Sequence, residues 1–241
     1  MFTRELKIRD FSDYQMPNKY RIIAENYFLE AQAIFEDDLM LFTITSSCAL
    51  NSCIDKWSDI DVLIVTRNFD TTKNELIHKV GNSQEIRIAL MLLTQYEFEN
   101  NLLDDKTRVA VWHLKKGLSC PNYVHGNMMI PNITFKDIQN DDKIMMPSYL
   151  HKLRRLFWEN TENSKRPIIK MLYIVIKMDL RKRGYVACSY ADAFQQFAVA
   201  HNEQGFDILK EISSKSKNPS PEFFAYAQRV VKKICKGEYS I

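Results

Sequence analysis

The spacing of apolar residues in the first half of the chain predicts one long helix followed by short strands. Apolar side chains recur every three or four positions over residues 17–35, which is the spacing of an amphipathic helix. Helical or loop segments are predicted over 72–80 and 95–103. Four short segments rich in apolar or β-branched residues are predicted as strands: 39–45, 60–66, 85–94 and 108–114. This alternation predicts a mixed α/β layer.

From Pro147 onward the pattern is helical throughout. Gly184 is expected to end the second helix of this part, and Ser189 to cap the third. Segment 122–142 is predicted as the connection between the strand-containing part and this helical part. The predicted helices are 147–160, 167–183, 189–201, 206–214 and 221–236. The predicted fold class is therefore α+β, with an N-terminal mixed-sheet domain over 1–145 and an all-helical C-terminal bundle over 146–241.

Composition excludes several classes of protein. The 241 residues are 46% hydrophobic with a net charge of only +3, which excludes a disordered chain. The longest apolar runs are six residues, far short of a membrane span, and the first ten residues carry charges where a signal peptide needs an apolar stretch. Five scattered cysteines without a CxxC pair fit neither a disulfide framework nor a structural zinc site. We therefore expect a cytoplasmic protein without a membrane partner.

The small net charge conceals an uneven distribution along the chain. Residues 1–145 contain 16 Lys and Arg against 21 Asp and Glu, whereas residues 146–241 contain 17 against 9. One interpretation is a metal-holding part followed by an anion-facing part. The other is that solvated helix faces happen to be rich in lysine. The basic excess is smaller than nucleic-acid-binding proteins normally show, so nucleic acid is the less favoured partner.

Two acidic residues stand at the start of the second predicted strand. Asp59 and Asp61 are two positions apart, so a strand projects both from one face. Two carboxylates on one face repel each other unless solvent, a base or a cation lies between them, and Mg²⁺ is the hard cation that oxygen ligands usually hold. The apolar residues 62–65 predict that the strand then enters a core. The acids are therefore expected at its open end.

A turn with two hydroxyl side chains precedes this strand. Ser46 and Ser47 directly follow the first predicted strand, and hydroxyls with backbone N–H groups at such a turn can hold phosphate oxygens. A helix cap or an ordinary loop explains the same two residues.

Together these segments resemble the nucleotidyltransferase superfamily, which has the DNA polymerase β-like fold. Ser47, Ala49 and the block SDIDVLIV over residues 58–65 match the family's Gly-Ser turn and its acidic strand. The resemblance covers roughly residues 17–114. The helical remainder is similar in architecture to that of the aminoglycoside nucleotidyltransferases.

The resemblance implies two-metal nucleotidyl transfer. Asp59 and Asp61 would hold Mg²⁺ ions, and Ser46 and Ser47 would bind the phosphates of a nucleoside triphosphate. The nucleoside monophosphate would pass to a hydroxyl of a small-molecule acceptor, and pyrophosphate would leave.

Two departures from the family pattern bear on activity. Ser46 stands where the family has glycine, so the backbone is expected to approach a triphosphate less closely. The family also places a third carboxylate on a later strand, and the resemblance implies Glu85 for that role, orienting or deprotonating the acceptor hydroxyl. An exposed acid at a strand start explains Glu85 equally well. Arg87, if it points into the site, would neutralise the acids and leave a weakened enzyme.

The helix predicted over 167–183 carries a basic face. Lys170, Tyr173, Lys177 and Arg181 recur every three or four positions and therefore line one side. If that side borders a cleft, Lys170 and Lys177 bind phosphate. If that side faces solvent, the two lysines are only the water-exposed face of a core helix.

Three functions follow from these alternatives. The leading hypothesis is Mg²⁺-dependent transfer of a nucleoside monophosphate to a small hydroxylated acceptor. The second is a catalytically weakened relative with a binding or regulatory role of the antitoxin type. The third is a nucleic-acid-binding protein that uses the basic half. A basic cleft suits a cationic aminoglycoside poorly, because such a ligand prefers acidic walls.

Overall fold

The computed structural model describes residues 11–116, 125–126, 128–159 and 165–238. Two compact units divide the chain, one ending at Phe135 and the other beginning at Lys136. This division falls earlier than the boundary after residue 145 that the sequence predicts. None of the helices in the described ranges is long and apolar enough to cross a membrane.

The first unit is built on a mixed sheet with helices between its strands. The elements in chain order are α1 (Asn18–Phe35), β1 (Leu39–Thr45), α2 (Ser46–Ala49), β2 (Ile60–Thr66), α3 (Thr71–Asn82), β3 (Ile88–Thr94), α4 (Gln95–Glu99), α5 (Asp105–Lys116) and β4 (His125–Gly126). The four strands lie in the order β3-β2-β1-β4. Strands β2 and β3 are parallel, whereas β1 is antiparallel to both β2 and β4, so the predicted mixed sheet is confirmed.

Helix α1 covers one face of this sheet. Its buried residues, among them Tyr20 and Tyr27, pack in one hydrophobic cluster with Ile60, Val62 and Ile64 of β2. Successive side chains of a strand point to opposite faces. The odd-numbered residues of β2 therefore point away from α1, and the first of them is Asp61.

The segment predicted as the fourth strand is a helix. Residues 108–114 lie inside α5, and residues 110–114 are all buried, Trp112 and His113 included. The valines and the tryptophan of this segment favour strands by propensity, but β-propensity is weak against tertiary packing, and the folded chain buries this segment as a helix. The strand prediction is therefore wrong here.

The fourth strand is β4, which lies in the segment predicted as a connection. It pairs with Leu41 and Phe42 of β1. At Gly126 the backbone has a φ of +112°, and a Cβ atom there would lie 2.1 Å from the carbonyl oxygen of Met40. Only glycine permits this approach of the two backbones.

The second unit consists of helices, as predicted. The helix that leads into it starts at Phe135 and continues through Pro147, the residue predicted to begin it, although proline lacks the N–H that a position inside a helix uses. The predicted end at residue 160 lies outside the described residues. The helices are α6 (Phe135–Glu159), α7 (Lys165–Lys182), α8 (Tyr190–His201), α9 (Ile208–Ser213) and α10 (Pro221–Glu238).

Two predicted helix boundaries in this unit are confirmed by their hydrogen bonds. Gly184 has a φ of +89° after α7, and its N–H donates to Arg181 O at 2.9 Å while Tyr185 N–H donates to Leu180 O at 2.9 Å. This pair of bonds is the Schellman motif that glycine permits. Before α8, the Ser189 side chain accepts a hydrogen bond from the backbone at the third position of the helix.

Candidate functional site

The acid pair lies at the open end of β2. Asp59 directly precedes the strand and Asp61 is its second residue, so the alternation of the strand projects both from the face that α1 leaves uncovered. Thr45 Oγ1 donates to the Asp61 carbonyl at 3.4 Å, which ties the strand entry to β1. The Asp61 side chain keeps 16% of its accessible surface, so solvent and ligands reach it.

Helix α2 places the two serines predicted to bind phosphate beside this pair. Strand β1 ends at Thr45, which is the register partner of Asp61, and α2 starts at the next residue, Ser46. The buried thiol of Cys48 donates to the Asp59 carbonyl at 3.7 Å. The turn and the acid pair therefore form one locally connected region, whose role in phosphate binding stays a prediction.

Ser46 has the backbone conformation of a glycine. Its φ is +56°, in the left-handed region, where a residue with a side chain costs about 1–2 kcal/mol. This is the position at which the family pattern has glycine. The turn therefore keeps the conformation that glycine favours although the residue differs. The Ser46 carbonyl accepts from the N–H of Leu50 at 2.9 Å, which closes the turn.

The loop between α2 and β2 is anchored to α1 by Tyr20. The Tyr20 hydroxyl donates to the carbonyl of Ser58 at 3.2 Å, and Ser58 Oγ accepts from the N–H of Ile54 at 2.9 Å. Burial raises the pKa of Tyr20 to about 12, so the hydroxyl stays protonated and remains a donor at neutral pH. These bonds fix the backbone immediately before Asp59.

Lys106, which the sequence interpretation did not select, contacts the acid pair. Its Nζ donates to Asp61 Oδ1 at 2.6 Å. Lys106 lies in the first turn of α5, where Asp104 accepts from the N–H of Thr107 at 2.7 Å as a cap. Cations are disfavoured at a helix N-terminus, so the nearby carboxylate compensates this position. The strand prediction for residues 108–114 hides the start of α5 and its cap at Asp104. Without that helix start, the sequence pattern does not place Lys106 near Asp61.

Glu85 is not brought to the acid pair. Strand β3 begins at Ile88 rather than at residue 85, because residues 83–86 form a turn after α3. The Glu85 carboxylate pairs with Lys19 of α1, the helix on the face opposite to Asp61. Within the described parts of the chain, no group of three or more His, Cys, Asp or Glu is placed to hold a metal ion. The expected convergence of three carboxylates is not found there, and a catalytic role for Glu85 stays a prediction.

The face of β3 beside Asp61 carries no carboxylate. The parallel register pairs Asp61 with Ala89. Arg87 lies two residues before Ala89, next to Asp59 in the same register, and its side chain is exposed. The following positions on this face, 91 and 93, are Met and Leu. The β3 residues beside the acid pair are therefore a small residue and an arginine rather than a third acid.

The basic face of α7 belongs to the second unit. Lys170 and Lys177 are half-buried, and Lys177 Nζ lies 5.1 Å from the ring centroid of Tyr173. Arg181, grouped with them in the sequence pattern, is buried and donates two hydrogen bonds of 2.7 Å to the carboxylate of Asp142. Arg181 is thus engaged in an internal ion pair. Phosphate binding by the two lysines stays a prediction.

Comparison with known proteins identifies the fold. No protein-family model matches the chain, and no curated protein matches it. Among solved structures, the chain is similar to a crystal structure of spectinomycin adenyltransferase AAD(9) from Enterococcus faecialis with ATP and spectinomycin. The TM-score is 0.52 at 14% sequence identity, over 88% of each chain. At this identity the similarity is one of fold.

The chain therefore has a nucleotidyltransferase-like fold. The similarity extends over both the sheet-containing part and the helical part, because it covers 88% of the chain. The predicted α+β class is confirmed, and the resemblance predicted from the serine turn and the acidic strand is confirmed at the level of the fold.

Proposed function

We propose that the chain is a Mg²⁺-dependent nucleotidyltransferase that moves a nucleoside monophosphate from a nucleoside triphosphate to a hydroxyl of a small-molecule acceptor. The observation that carries this proposal is the pair Asp59 and Asp61 at the open end of β2, beside the α2 turn, in a nucleotidyltransferase-like fold. The similar adenyltransferase was solved with ATP and spectinomycin. ATP is therefore the first triphosphate to test, and hydroxylated small molecules are the first acceptor class.

The oxygen donors of the acid pair suit one Mg²⁺ ion. Mg²⁺ is usually held by one or two carboxylates together with substrate phosphates and water. Asp59 and Asp61 supply the carboxylates, and a triphosphate supplies the phosphate oxygens. The bound ion would neutralise charge on the triphosphate and polarise its α-phosphorus.

The residues of the chain position the reactants in this proposal. Ser46 and Ser47 hold the terminal phosphates with the N–H groups of α2, and the acid pair faces the α-phosphate. The acceptor oxygen forms a bond to the α-phosphorus. The bond from that phosphorus to the oxygen bridging the β-phosphate breaks, and pyrophosphate leaves with the electron pair. The proton of the acceptor hydroxyl passes to water. The rate comes chiefly from positioning and from charge neutralisation.

Calorimetry and pyrophosphate release test the proposal. Binding of ATP with Mg²⁺ is measured first, and pyrophosphate release is then followed with a panel of hydroxylated acceptors that includes spectinomycin. The variants are Asp59→Asn and Asp61→Asn, with Asp55→Asn as the control because Asp55 is an exposed acid of the same loop. We expect the acid-pair variants to lose about 10²–10³-fold in rate, and the control to lose none. Absence of Mg²⁺-dependent ATP binding in the folded wild type would overturn the proposal.

One observation favours the second function, a weakened relative that binds nucleotide without transferring it. The Asp61 carboxylate already forms an ion pair with Lys106, and the residue beside Asp61 on β3 is Ala89 rather than an acid. Mg²⁺-dependent ATP binding without pyrophosphate release for any acceptor would support this binding or regulatory role. Salt-dependent affinity for RNA or DNA that the acid-pair variants leave unchanged would instead support nucleic-acid binding.

A further inference from the structure

We infer that Lys106 is a fixed cation of the candidate site that takes over the charge of a second divalent ion, so that nucleotide is bound with one divalent ion per chain. The inference rests on the proposed function. It departs from the two-metal arrangement that the sequence resemblance implies. Its basis is the contact of Lys106 Nζ with Asp61 Oδ1 at 2.6 Å, in a site with two carboxylates.

The described residues supply ligands for one divalent ion rather than two. The register places Thr45 of β1 and Ala89 of β3 beside Asp61, so neither neighbouring strand supplies a further carboxylate at this position. Glu85 is held by Lys19 on the other side of the sheet. No group of three or more metal-ligating side chains occurs among the residues that the structure describes. A second ion would therefore have too few protein ligands.

The position of Lys106 suits a cation shared between a carboxylate and a phosphate. An ammonium group has three donors, and its contact with Asp61 uses one of them. Half of the Lys106 side chain is exposed, so its other donors are accessible to an incoming phosphate. The ammonium group is carried by the first turn of α5, and the Asp104 cap fixes the backbone of that turn.

The arrangement predicts two opposite effects when Lys106 loses its charge. Without nucleotide, a divalent ion has to compete with the ammonium group for Asp61, so removal of the charge strengthens metal binding. With nucleotide, the ammonium group attracts the triphosphate, so removal of the charge weakens nucleotide binding. A residue that only stabilises the fold would not move the two affinities in opposite directions.

Manganese binding separates these effects. Mn²⁺ replaces Mg²⁺, free Mn²⁺ is counted by electron paramagnetic resonance, and the nucleotide is an ATP analogue with a methylene group between the α- and β-phosphates. We expect one Mn²⁺ per wild-type chain with the analogue. Lys106→Met is expected to bind Mn²⁺ alone about tenfold more tightly and the analogue about tenfold more weakly.

Two further variants serve as controls. Lys106→Arg keeps the charge and is expected to retain both wild-type affinities. Lys73→Met removes a lysine of the same unit that pairs with Asp38 at 3.4 Å, and it is expected to change neither affinity. Circular dichroism establishes that each variant is folded.

The outcomes distinguish failure of this inference from failure of the proposed function. Two Mn²⁺ ions per wild-type chain with the analogue would overturn the inference and leave nucleotidyl transfer standing. The inference is also overturned if folded Lys106→Met changes its affinities for Mn²⁺ and for the analogue in the same direction, or changes neither. If the wild type shows no Mn²⁺-dependent binding of the analogue, the proposed function fails, and the inference fails with it.

Discussion

Replacement of Ser46 by glycine is expected to stabilise the protein. Ser46 has a φ of +56° at the first residue of α2, where nucleotidyltransferases have glycine. The left-handed conformation brings the Cβ of an L-residue too close to the following carbonyl oxygen, and glycine has no Cβ. The substitution therefore relieves strain without removing a buried group, since Ser46 is half-buried at the turn.

Two opposing contributions set the size of this effect. Relief of the left-handed conformation contributes about 1–2 kcal/mol. The greater conformational entropy of glycine in the unfolded chain offsets about 0.5–1 kcal/mol of it. The net gain is therefore about 0–1.5 kcal/mol, which for a chain of this length corresponds to a rise of up to about 6 °C in Tm.

Ser47→Gly is the matched control for this experiment. Ser47 follows Ser46 in α2 and is not among the residues with positive φ. Glycine there adds flexibility and removes the hydrogen bond of the Ser47 side chain with Cys48, so a loss of at least about 0.5–1 kcal/mol is expected. Thermal and urea unfolding should thus shift in opposite directions for the two variants. A destabilised Ser46→Gly that matches Ser47→Gly would refute the assignment of strain to the turn.

Three other predictions concern single side chains. Loss of a general base costs about 10²–10⁴-fold in rate, and we expect Glu85→Gln to show no such loss in pyrophosphate release, because its carboxylate pairs with Lys19 of α1, on the sheet face opposite to Asp61; a loss of that size would establish Glu85 as the base. Asp142→Ala leaves the buried guanidinium of Arg181 without its partner, and urea unfolding should show a loss of about 3–5 kcal/mol; an unchanged midpoint would contradict this. The hydrogen bond between two thiols lowers the pKa of Cys53 and raises that of Cys48, so peptide mapping should find Cys53 alkylated faster by iodoacetamide at neutral pH. Its rate should fall only below the ordinary thiol pKa, and Cys48→Ala should remove this advantage.

Regular elements with a strong local pattern were predicted closely. The strands Leu39–Thr45 and Ile60–Thr66 agree with prediction at both ends, and α8 starts after the predicted cap. Each has a continuous apolar run or a capping residue that acts within a few positions. The strand prediction for segment 108–114 is wrong because its valines favour a strand locally, whereas the folded chain places the segment inside α5 with residues 110–114 buried.

In the candidate site as well, some residues follow from local sequence patterns and others depend on tertiary contacts. Asp59, Asp61 and the serine turn are adjacent in sequence to predicted strands, so their meeting at one sheet end follows from strand order. The partner of Asp61 does not, because Lys106 approaches it from 45 positions further along the chain. The place of Glu85 also depends on a tertiary contact, its ion pair with Lys19.

The sequence by itself determined the α+β fold, the acidic strand and the turn before it, because these are encoded in the spacing of neighbouring residues. Only the tertiary structure decided which cation meets Asp61, which residue stands beside it on β3, and which side of the sheet holds Glu85. The physical reason is range: periodicity and capping act over a few residues, whereas register and ion pairing depend on how distant segments pack. Ser46 depends on both kinds of information. Its place after β1 follows from the local sequence pattern, whereas its left-handed backbone conformation is imposed by the fold.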